Sequence, residues 1–214
     1  MLNRDEYLAA WSRWHGGADT AHGLVRVWLS AVYALARRMA GLPPVVVTGA
    51  GLAVAGAAVA PAAAGGGWLV VAGLLVGLSG LLDSLDGALA IGTGRASRRG
   101  FVLDSAVDRL TEAAYAAALW LAGAPGPLAV AFGAFCWLPD YLRARAGQAG
   151  VTETGALSVW ERPTRVILAG LTLGGAGVVA ALHAPVVTAG TAAGVVLGVV
   201  AVAQLARSLG RALG

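Results

Sequence analysis

Four aspartates in two strongly apolar stretches are the residues best suited to chemistry in this chain. Asp83 and Asp86 stand in the pattern D-x-x-D-G-x-x-A, and Asp104 and Asp108 stand in G-x-x-x-D-x-x-x-D. A carboxylate at hydrocarbon depth costs about 3 kcal/mol unless it is paired, hydrated or bound to a metal. Four of them together therefore predict a functional site that uses a divalent cation and phosphate chemistry.

Helical spacing predicts that the four carboxylates converge. Spacings of three and four residues put each pair on one face of a helix. The first helix is predicted to end near Gly92 and the second to begin near Gly100, which sets all four aspartates within about 13 Å of the helix ends. Mg²⁺ and Mn²⁺ prefer oxygen ligands and can bridge to substrate phosphates. The alternative is a set of structural ion pairs with nearby arginines, namely Arg95, Arg98, Arg99 and Arg109.

The composition indicates a polytopic membrane protein. Of the 214 residues 58% are hydrophobic and only 12% are charged, where a soluble domain carries about 25% charged residues. All 15 basic residues are arginine, and the formal net charge is +4. This balance favours contact with membrane lipids or anionic substrates and gives no indication of a nucleic-acid partner.

Six apolar stretches have the length of about 20 residues that a membrane span requires. They run over 44–64, 68–92, 101–123, 127–145, 163–183 and 185–205. Three short connections lack formal charge, whereas the arginines gather at the opposite ends of the spans. By the positive-inside rule, both termini and the aspartates are predicted to lie on the cytoplasmic side of the cell membrane.

The residues before the first span are predicted to form a separate juxtamembrane arm, 1–42, ahead of a six-helix transmembrane domain, 43–214. From Leu24 to Met39, apolar residues recur at helical spacing, which predicts an amphipathic helix in the membrane interface. A solvated basic arm is the alternative. The predicted fold class is therefore an all-α integral membrane protein with six transmembrane helices and an N-terminal amphipathic interfacial helix.

The aspartate pattern resembles the signature of the CDP-alcohol phosphotransferases, D-x-x-D-G-x-x-A-R, about eight residues, then G-x-x-x-D-x-x-x-D. The residues that match it are Asp83, Asp86, Gly87, Ala90, Gly100, Asp104 and Asp108. The resemblance implies a six-helix fold, usually homodimeric, that transfers a phosphatidyl or similar group from a CDP-linked donor to an alcohol and releases CMP.

The resemblance also implies roles for individual residues. Asp83, Asp86 and Asp104 would be the principal ligands of two divalent ions, Mg²⁺ or Mn²⁺. Asp108 would share the metal site and take the proton from the acceptor hydroxyl. The implied donor is CDP-diacylglycerol. The residues implied to bind it are Thr48, Asp83, Gly87, Ala90, Arg95 and Gly100.

Two positions depart from the family pattern. Ile91 stands where the signature has arginine, which removes a charge from the nucleotide side of the site. Arg95, one helical turn further on, is the candidate to replace that charge. In the P-N-x-x-T segment at the start of the first span, Thr48 is retained and Val45 replaces the asparagine.

Two further segments bear on the acceptor alcohol. Residues 140–146, D-Y-L-R-A-R-A, resemble the S-Y-x-K-A-R-A segment of bacterial phosphatidylinositol phosphate synthases, with Asp140 in place of serine. Residues 161–165, E-R-P-T-R, resemble their E-R-x-x-R. The resemblance implies a pocket for the acceptor's phosphate lined by Arg143, Arg145, Arg162 and Arg165. The alternative is that these arginines only set topology and contact lipid headgroups.

These observations predict a phospholipid-synthesis enzyme that transfers a phosphatidyl group from CDP-diacylglycerol to inositol phosphate or glycerol phosphate. Transfer to phosphatidylglycerol, as in cardiolipin synthesis, stays open, as does a catalytically silent lipid-binding relative. A cation transporter fits less well, because the outer half of the predicted spans carries no acidic residue.

Overall fold

The described part of the chain is built from helices and contains no strand. The computed structural model describes residues 1–14, 20, 23–151 and 158–213. The helices are α1 (Arg4–Trp14), α2 (Gly23–Arg38), α3 (Pro44–Ala57), α4 (Val59–Ala64), α5 (Trp68–Gly92), α6 (Arg98–Leu121), α7 (Gly126–Gln148), α8 (Arg162–Val178) and α9 (His183–Leu213), with a 3-10 turn at Ala180–Leu182. The all-α prediction is confirmed for these residues.

Helices occupy all six stretches that were predicted to span the membrane. Three of them are long and apolar enough to cross a bilayer: Pro44–Ala64, Trp68–Gly92 and His183–Leu213. Of the others, α8 has only 17 residues, and α6 carries several charged residues in its first half. A multi-span membrane protein is thus supported, while the count of six stays a prediction.

The chain divides into two compact units. One comprises Met1–Ala53 and Ser79–Asp108, and the other comprises Val54–Leu78 and Arg109–Gly214. We refer to them as the first and the second unit. The predicted division into an arm, 1–42, and a domain, 43–214, stays a prediction.

The first unit is organised around a cluster of buried apolar residues from α1, α2 and the end of α5. Tyr7 is fully buried and stacks on Tyr33, with ring centroids 5.4 Å apart. Burial raises the pKa of Tyr7 to about 12. Asn3 and Glu6 form a reciprocal capping box at the start of α1, with N–H to side-chain oxygen distances of 2.8 and 3.0 Å. The stacked tyrosines pack α1 against α2, and the capping box stabilises the start of α1.

The helix predicted over 24–39 is present as α2. This helix has two apolar faces. One face is buried in the first unit and contains Leu29, Val32 and Ala36. The predicted interfacial face contains Val27 and Trp28, which are 67% and 47% exposed. An exposed apolar face suits a membrane interface, so the interfacial placement of this helix stays a prediction that its exposure supports.

The second unit has a larger core in which glycines permit close helix packing. A Cβ at Gly73 of α5 would lie 2.5 Å from the carbonyl oxygen of Gly170 and 2.7 Å from the amide nitrogen of Gly174, both in α8. Small residues let membrane helices approach closely and gain dispersion energy. Deeper in the core, Phe132 and Trp160 pack edge to face with centroids 5.5 Å apart.

We expect Gly73→Ala to destabilise the protein, because the added methyl group would force α5 and α8 apart at a cost of about 1–3 kcal/mol. Gly77→Ala is the matched control on the same helix, since a Cβ there would meet nothing within 4 Å. Thermal unfolding in detergent should show a lower apparent Tm for the first variant only. Equal Tm values for the two variants would contradict the close packing described here.

Candidate active site

Three of the four signature aspartates come together in the first unit. Carboxylate oxygens of Asp83, Asp104 and Asp108 lie within 4.8 Å of one another, and all three side chains are partly buried. Asp83 lies in the second half of α5, while Asp104 and Asp108 lie one turn apart in the first half of α6. Their i,i+4 spacing puts the two α6 carboxylates on one face of that helix.

The donor set of this cluster fits a hard divalent cation. Carboxylates packed this closely repel one another, and a bound cation removes the repulsion. Oxygen ligands suit Mg²⁺ and Mn²⁺. Asp86 is buried on α5, but it does not belong to the group of three. Its role as a metal ligand stays a prediction.

The other signature residues on α5 and α6 are small. A Cβ at Gly87 would meet nothing within 4 Å, so the backbone there is accessible from one side. Ala90, on the same helix, is partly buried. Gly100 is exposed near the start of α6. Its N–H donates to Ser97 Oγ at 3.0 Å, so the Ser97 side chain caps that helix.

The two remaining predicted donor residues make backbone contacts. Thr48 is buried, and its hydroxyl donates to the carbonyl oxygen of Pro44 at 3.1 Å. Arg95 is exposed, and its Nη1 donates to the carbonyl oxygen of Leu42 at 3.0 Å. Arg95 thus joins the connection between α5 and α6 to the residues just before α3.

The structure gives a physical reason for Ile91 in place of the family's arginine. Ile91 packs against the apolar cluster that contains Tyr7. Beside it, the N–H of Leu2 donates to the carbonyl oxygen of Gly92 at 2.7 Å and satisfies a group at the C-terminal end of α5. An arginine side chain here would place a charge against the N-terminal helix, whereas isoleucine adds apolar contact.

The predicted acceptor residue Arg143 is held by two carboxylates in the second unit. Its Nη1 donates to Asp140 Oδ1 at 3.2 Å, and its Nη2 donates to Glu161 Oε1 at 2.6 Å. Ser158 donates to the same Glu161 oxygen through both its N–H and its hydroxyl, each at 2.8 Å. Arg143 therefore connects α7 to the residue that precedes α8.

Arg165 is the most deeply buried of the predicted acceptor residues, with a side chain 1% exposed. Its Nη1 donates to Glu112 Oε1 at 2.6 Å and to Asp140 Oδ2 at 2.8 Å, and its Nε donates to the carbonyl oxygen of Trp160 at 2.9 Å. Arg109 binds the same two carboxylates, at 3.0 Å to Glu112 and 2.6 Å to Asp140. The ion pairs of Arg143, Arg165 and Arg109 share carboxylates and form one group, which we call the charge network. Its six side chains are Arg109, Glu112, Asp140, Arg143, Glu161 and Arg165.

Arg162 and Arg145 lie outside the charge network. Arg162 donates to the hydroxyl of Thr111 at 3.2 Å, and Arg145 is exposed and donates to Gln148 at 2.6 Å. The structure thus brings Arg143 and Arg165 to a common carboxylate, whereas Arg162 acts electrostatically on Glu112 and Arg145 contacts Gln148. Binding of a phosphate by these four arginines stays a prediction.

Sequence reasoning left the carboxylates of the charge network out of the candidate site. Two signals were present, because Arg109 with Glu112 and Asp140 with Arg143 are i,i+3 pairs on helices. The pairing of Arg165 with Glu112 joins residues 53 positions apart, and nothing local in the sequence indicates it.

The comparisons with known proteins agree with the signature. The CDP-alcohol phosphatidyltransferase family model matches residues 40–205. The chain is 36% identical over 149 residues to phosphatidylinositol phosphate synthase of Mycolicibacterium smegmatis, which covers 66% of each protein. It is 39% identical over 94 residues to archaetidylinositol phosphate synthase of Aeropyrum pernix, covering 44% of this chain and 48% of that protein.

A solved structure is similar to this chain over most of its length. Phosphatidylinositol phosphate synthase of Mycobacterium tuberculosis with CDP-DAG bound is similar with a TM-score of 0.64 and 28% identity, covering 85% of this chain and 92% of that one. The same synthase has a structure in complex with manganese and citrate, with 27% identity.

This chain belongs to the CDP-alcohol phosphatidyltransferase family, as its match over 40–205 shows. The resemblance read from the aspartate pattern is thereby confirmed. The chain matches about half the length of two relatives, 48% of the Aeropyrum pernix synthase and 53% of the archaetidylinositol phosphate synthase of Pyrococcus horikoshii.

We expect Asp104→Asn to weaken Mn²⁺ binding at least tenfold. Loss of a residue that only hydrogen-bonds to a metal ligand lowers metal affinity about 10- to 100-fold. This variant removes a candidate ligand itself. Electron paramagnetic resonance of free Mn²⁺ during titration measures the affinity. Asp5→Asn is the control, since Asp5 is exposed and pairs with Arg4 on α1. Equal affinities for the two variants would place the metal elsewhere.

Glu161 should make stability depend on pH in the acid range. Burial by itself would raise the pKa of this carboxyl, but hydrogen bonds from Arg143 and Ser158 hold the pKa below its ordinary value of 4.5. A lowered native pKa means that the stabilisation is complete above that ordinary value and is lost as the pH falls through the native pKa.

The measurement is the difference in apparent Tm between the wild type and Glu161→Gln in detergent, from about pH 7 to about pH 3. The difference should be constant near neutrality and shrink in acid. A difference that persists or grows at the acid end would contradict the assignment.

Proposed function

We propose that this protein transfers a phosphatidyl group from CDP-diacylglycerol to a phosphorylated polyol and releases CMP. The observation that carries the proposal is the carboxylate cluster of Asp83, Asp104 and Asp108 within the matched family region. The related synthases are named for phosphatidylinositol phosphate and archaetidylinositol phosphate, which makes inositol phosphate the favoured acceptor. Glycerol phosphate is the second acceptor to be tested.

The donor is proposed to bind in the first unit. Asp83, Asp104 and Asp108 would hold divalent metal, with Asp86 as a further ligand, and two ions are expected from the family resemblance. When bound, the metal neutralises the charge of the donor's pyrophosphate. The accessible backbone at Gly87 supports close approach of a phosphate-bearing ligand. Thr48, Ala90, Arg95 and Gly100 complete the proposed donor site.

The reaction exchanges one phosphorus–oxygen bond for another. The acceptor hydroxyl oxygen bonds to the phosphorus that carries the diacylglycerol, and the bond from that phosphorus to the bridging oxygen of CMP breaks. Asp108 is proposed to take the proton of the acceptor hydroxyl as the general base. CMP leaves with the electron pair of the broken bond.

The acceptor's phosphate is proposed to bind in the second unit, through Arg143, Arg145, Arg162 and Arg165. Guanidinium groups bind phosphate through paired, charge-assisted hydrogen bonds. Burial of Arg165 and its three hydrogen bonds support a preorganised group rather than a freely moving surface arginine.

In the membrane, we propose six spans with both termini and the site on the cytoplasmic side of the cell membrane. The arginine distribution supports this orientation. The homodimer implied by the family resemblance is part of the same proposal.

The test is CMP release by purified protein with CDP-diacylglycerol and Mg²⁺ or Mn²⁺. Inositol phosphate, glycerol phosphate, free inositol and phosphatidylglycerol are supplied separately. We expect metal-dependent release with inositol phosphate and, for Asp108→Asn, a loss of roughly a hundredfold or more, the usual contribution of a general base.

Asp5→Asn is the control for that variant and should retain activity, because Asp5 lies outside the carboxylate cluster. Full activity of Asp108→Asn would contradict the proposed base. Release that requires phosphatidylglycerol would replace the proposed acceptor, and no release with any acceptor would contradict the proposed reaction.

A further inference from the structure

Three guanidinium groups converge on a single carboxylate, that of Asp140. Arg109 and Arg165 donate to its Oδ2 at 2.6 and 2.8 Å, and Arg143 donates to its Oδ1 at 3.2 Å. Guanidinium groups that converge on one point can also bind a phosphate there. Here an aspartate of the chain itself occupies the centre of that arrangement.

The accessibility of the charge network falls from Asp140 inward. The side chain of Asp140 is 38% exposed, whereas Arg165 is 1% exposed and Glu112 is fully buried. An anion that approaches the converging arginines therefore meets Asp140 rather than Glu112. Glu112 with Arg165 forms the inner end of the network.

The charge network is balanced in its present form. Its three arginines are formally offset by Glu112, Asp140 and Glu161, and Arg162 lies close enough to act electrostatically on Glu112. Loss of the Asp140 charge would leave Arg165, which is buried, with Glu112 as its remaining carboxylate partner in the network. A buried cation that loses a partner is strongly destabilised and gains from any anion that can replace the partner.

We propose that Asp140 is a specificity-determining residue of the acceptor site, a proposal that rests on the proposed function. Its carboxylate occupies an anion position among Arg109, Arg143 and Arg165, and two of these arginines, Arg143 and Arg165, belong to the proposed acceptor site. It thereby competes with the acceptor's phosphate and lowers the preference for a phosphorylated over an unphosphorylated acceptor.

The first experiment measures binding of inorganic phosphate and of inositol phosphate to wild type and Asp140→Asn by calorimetry in detergent. Asparagine keeps the shape of the side chain and removes its charge. We expect phosphate to bind about tenfold more tightly to the variant, which corresponds to about 1.4 kcal/mol. Affinity that is unchanged or weaker in the variant would overturn the proposal, because a carboxylate that only braces the arginines predicts that outcome.

Glu161→Gln is the matched control within the same network. It also removes one negative charge, but Glu161 contacts Arg143 and neither of the other two arginines that meet at Asp140. We expect it to tighten phosphate binding much less than Asp140→Asn does. Equal tightening would show that total charge matters rather than position, and would overturn the role given to Asp140.

A stability measurement keeps the test decisive if the variant folds poorly. We expect Asp140→Asn and Asp140→Ser to have a lower apparent Tm than wild type. When inorganic phosphate replaces chloride at matched ionic strength, the apparent Tm of both variants should rise by more than that of wild type. Equal gains in all three proteins would overturn the proposal.

Turnover then separates this proposal from the proposed function. With CDP-diacylglycerol as donor, Asp140→Ser should raise the ratio of kcat/KM for inositol phosphate to that for inositol about tenfold, the same 1.4 kcal/mol. CMP release by wild type with an unchanged ratio in the variant would overturn the role of Asp140 alone. Absence of CMP release from every acceptor would overturn the proposed function, and the phosphate affinities would still decide whether Asp140 occupies an anion site.

Discussion

The cost of charge inside apolar helices governs the arrangement of this protein. Aspartates, glutamates and arginines in such helices need partners, because desolvation of an isolated ion costs several kcal/mol. The chain meets this constraint in two ways. In the first unit, three carboxylates gather where an external cation can neutralise them. In the second unit, carboxylates and guanidinium groups neutralise one another.

Helix α6 supplies residues to both groups. Asp104 and Asp108 belong to the carboxylate cluster, and the next residues of the helix toward its C-terminus include Arg109 and Glu112 of the charge network. Arg109 and Glu112 are neutralised by opposite charges within the protein, and a divalent metal is the partner proposed for Asp104 and Asp108. Because it carries these charges, α6 is not among the three stretches that are apolar enough to be identified as membrane spans.

Much of the fold and of the carboxylate cluster could be predicted from the sequence, because both depend on local patterns. Apolar length set the helices, and spacings of three and four residues put Asp83, Asp104 and Asp108 on facing surfaces. The buried face of α2 was not predicted, since Leu29 and Val32 contact residues that lie far away in the chain. The partners of Arg165 were missed for the same reason, as Asp140 lies 25 positions away.

The departure at Ile91 illustrates the same limit. From the signature alone it is a missing charge, whereas in the structure it is an apolar contact with the cluster around Tyr7. Such substitutions can be interpreted only when the partner element is known, and here that partner is an N-terminal helix that lies outside the matched family region.

The most direct test of the account is anomalous diffraction at the manganese edge from crystals grown with Mn²⁺ and CDP-diacylglycerol. We predict a peak bounded by the carboxylates of Asp83, Asp104 and Asp108, with the donor's phosphates beside it. A peak at another group of residues, with this carboxylate cluster showing no manganese, would contradict the central claim that these aspartates hold the metal.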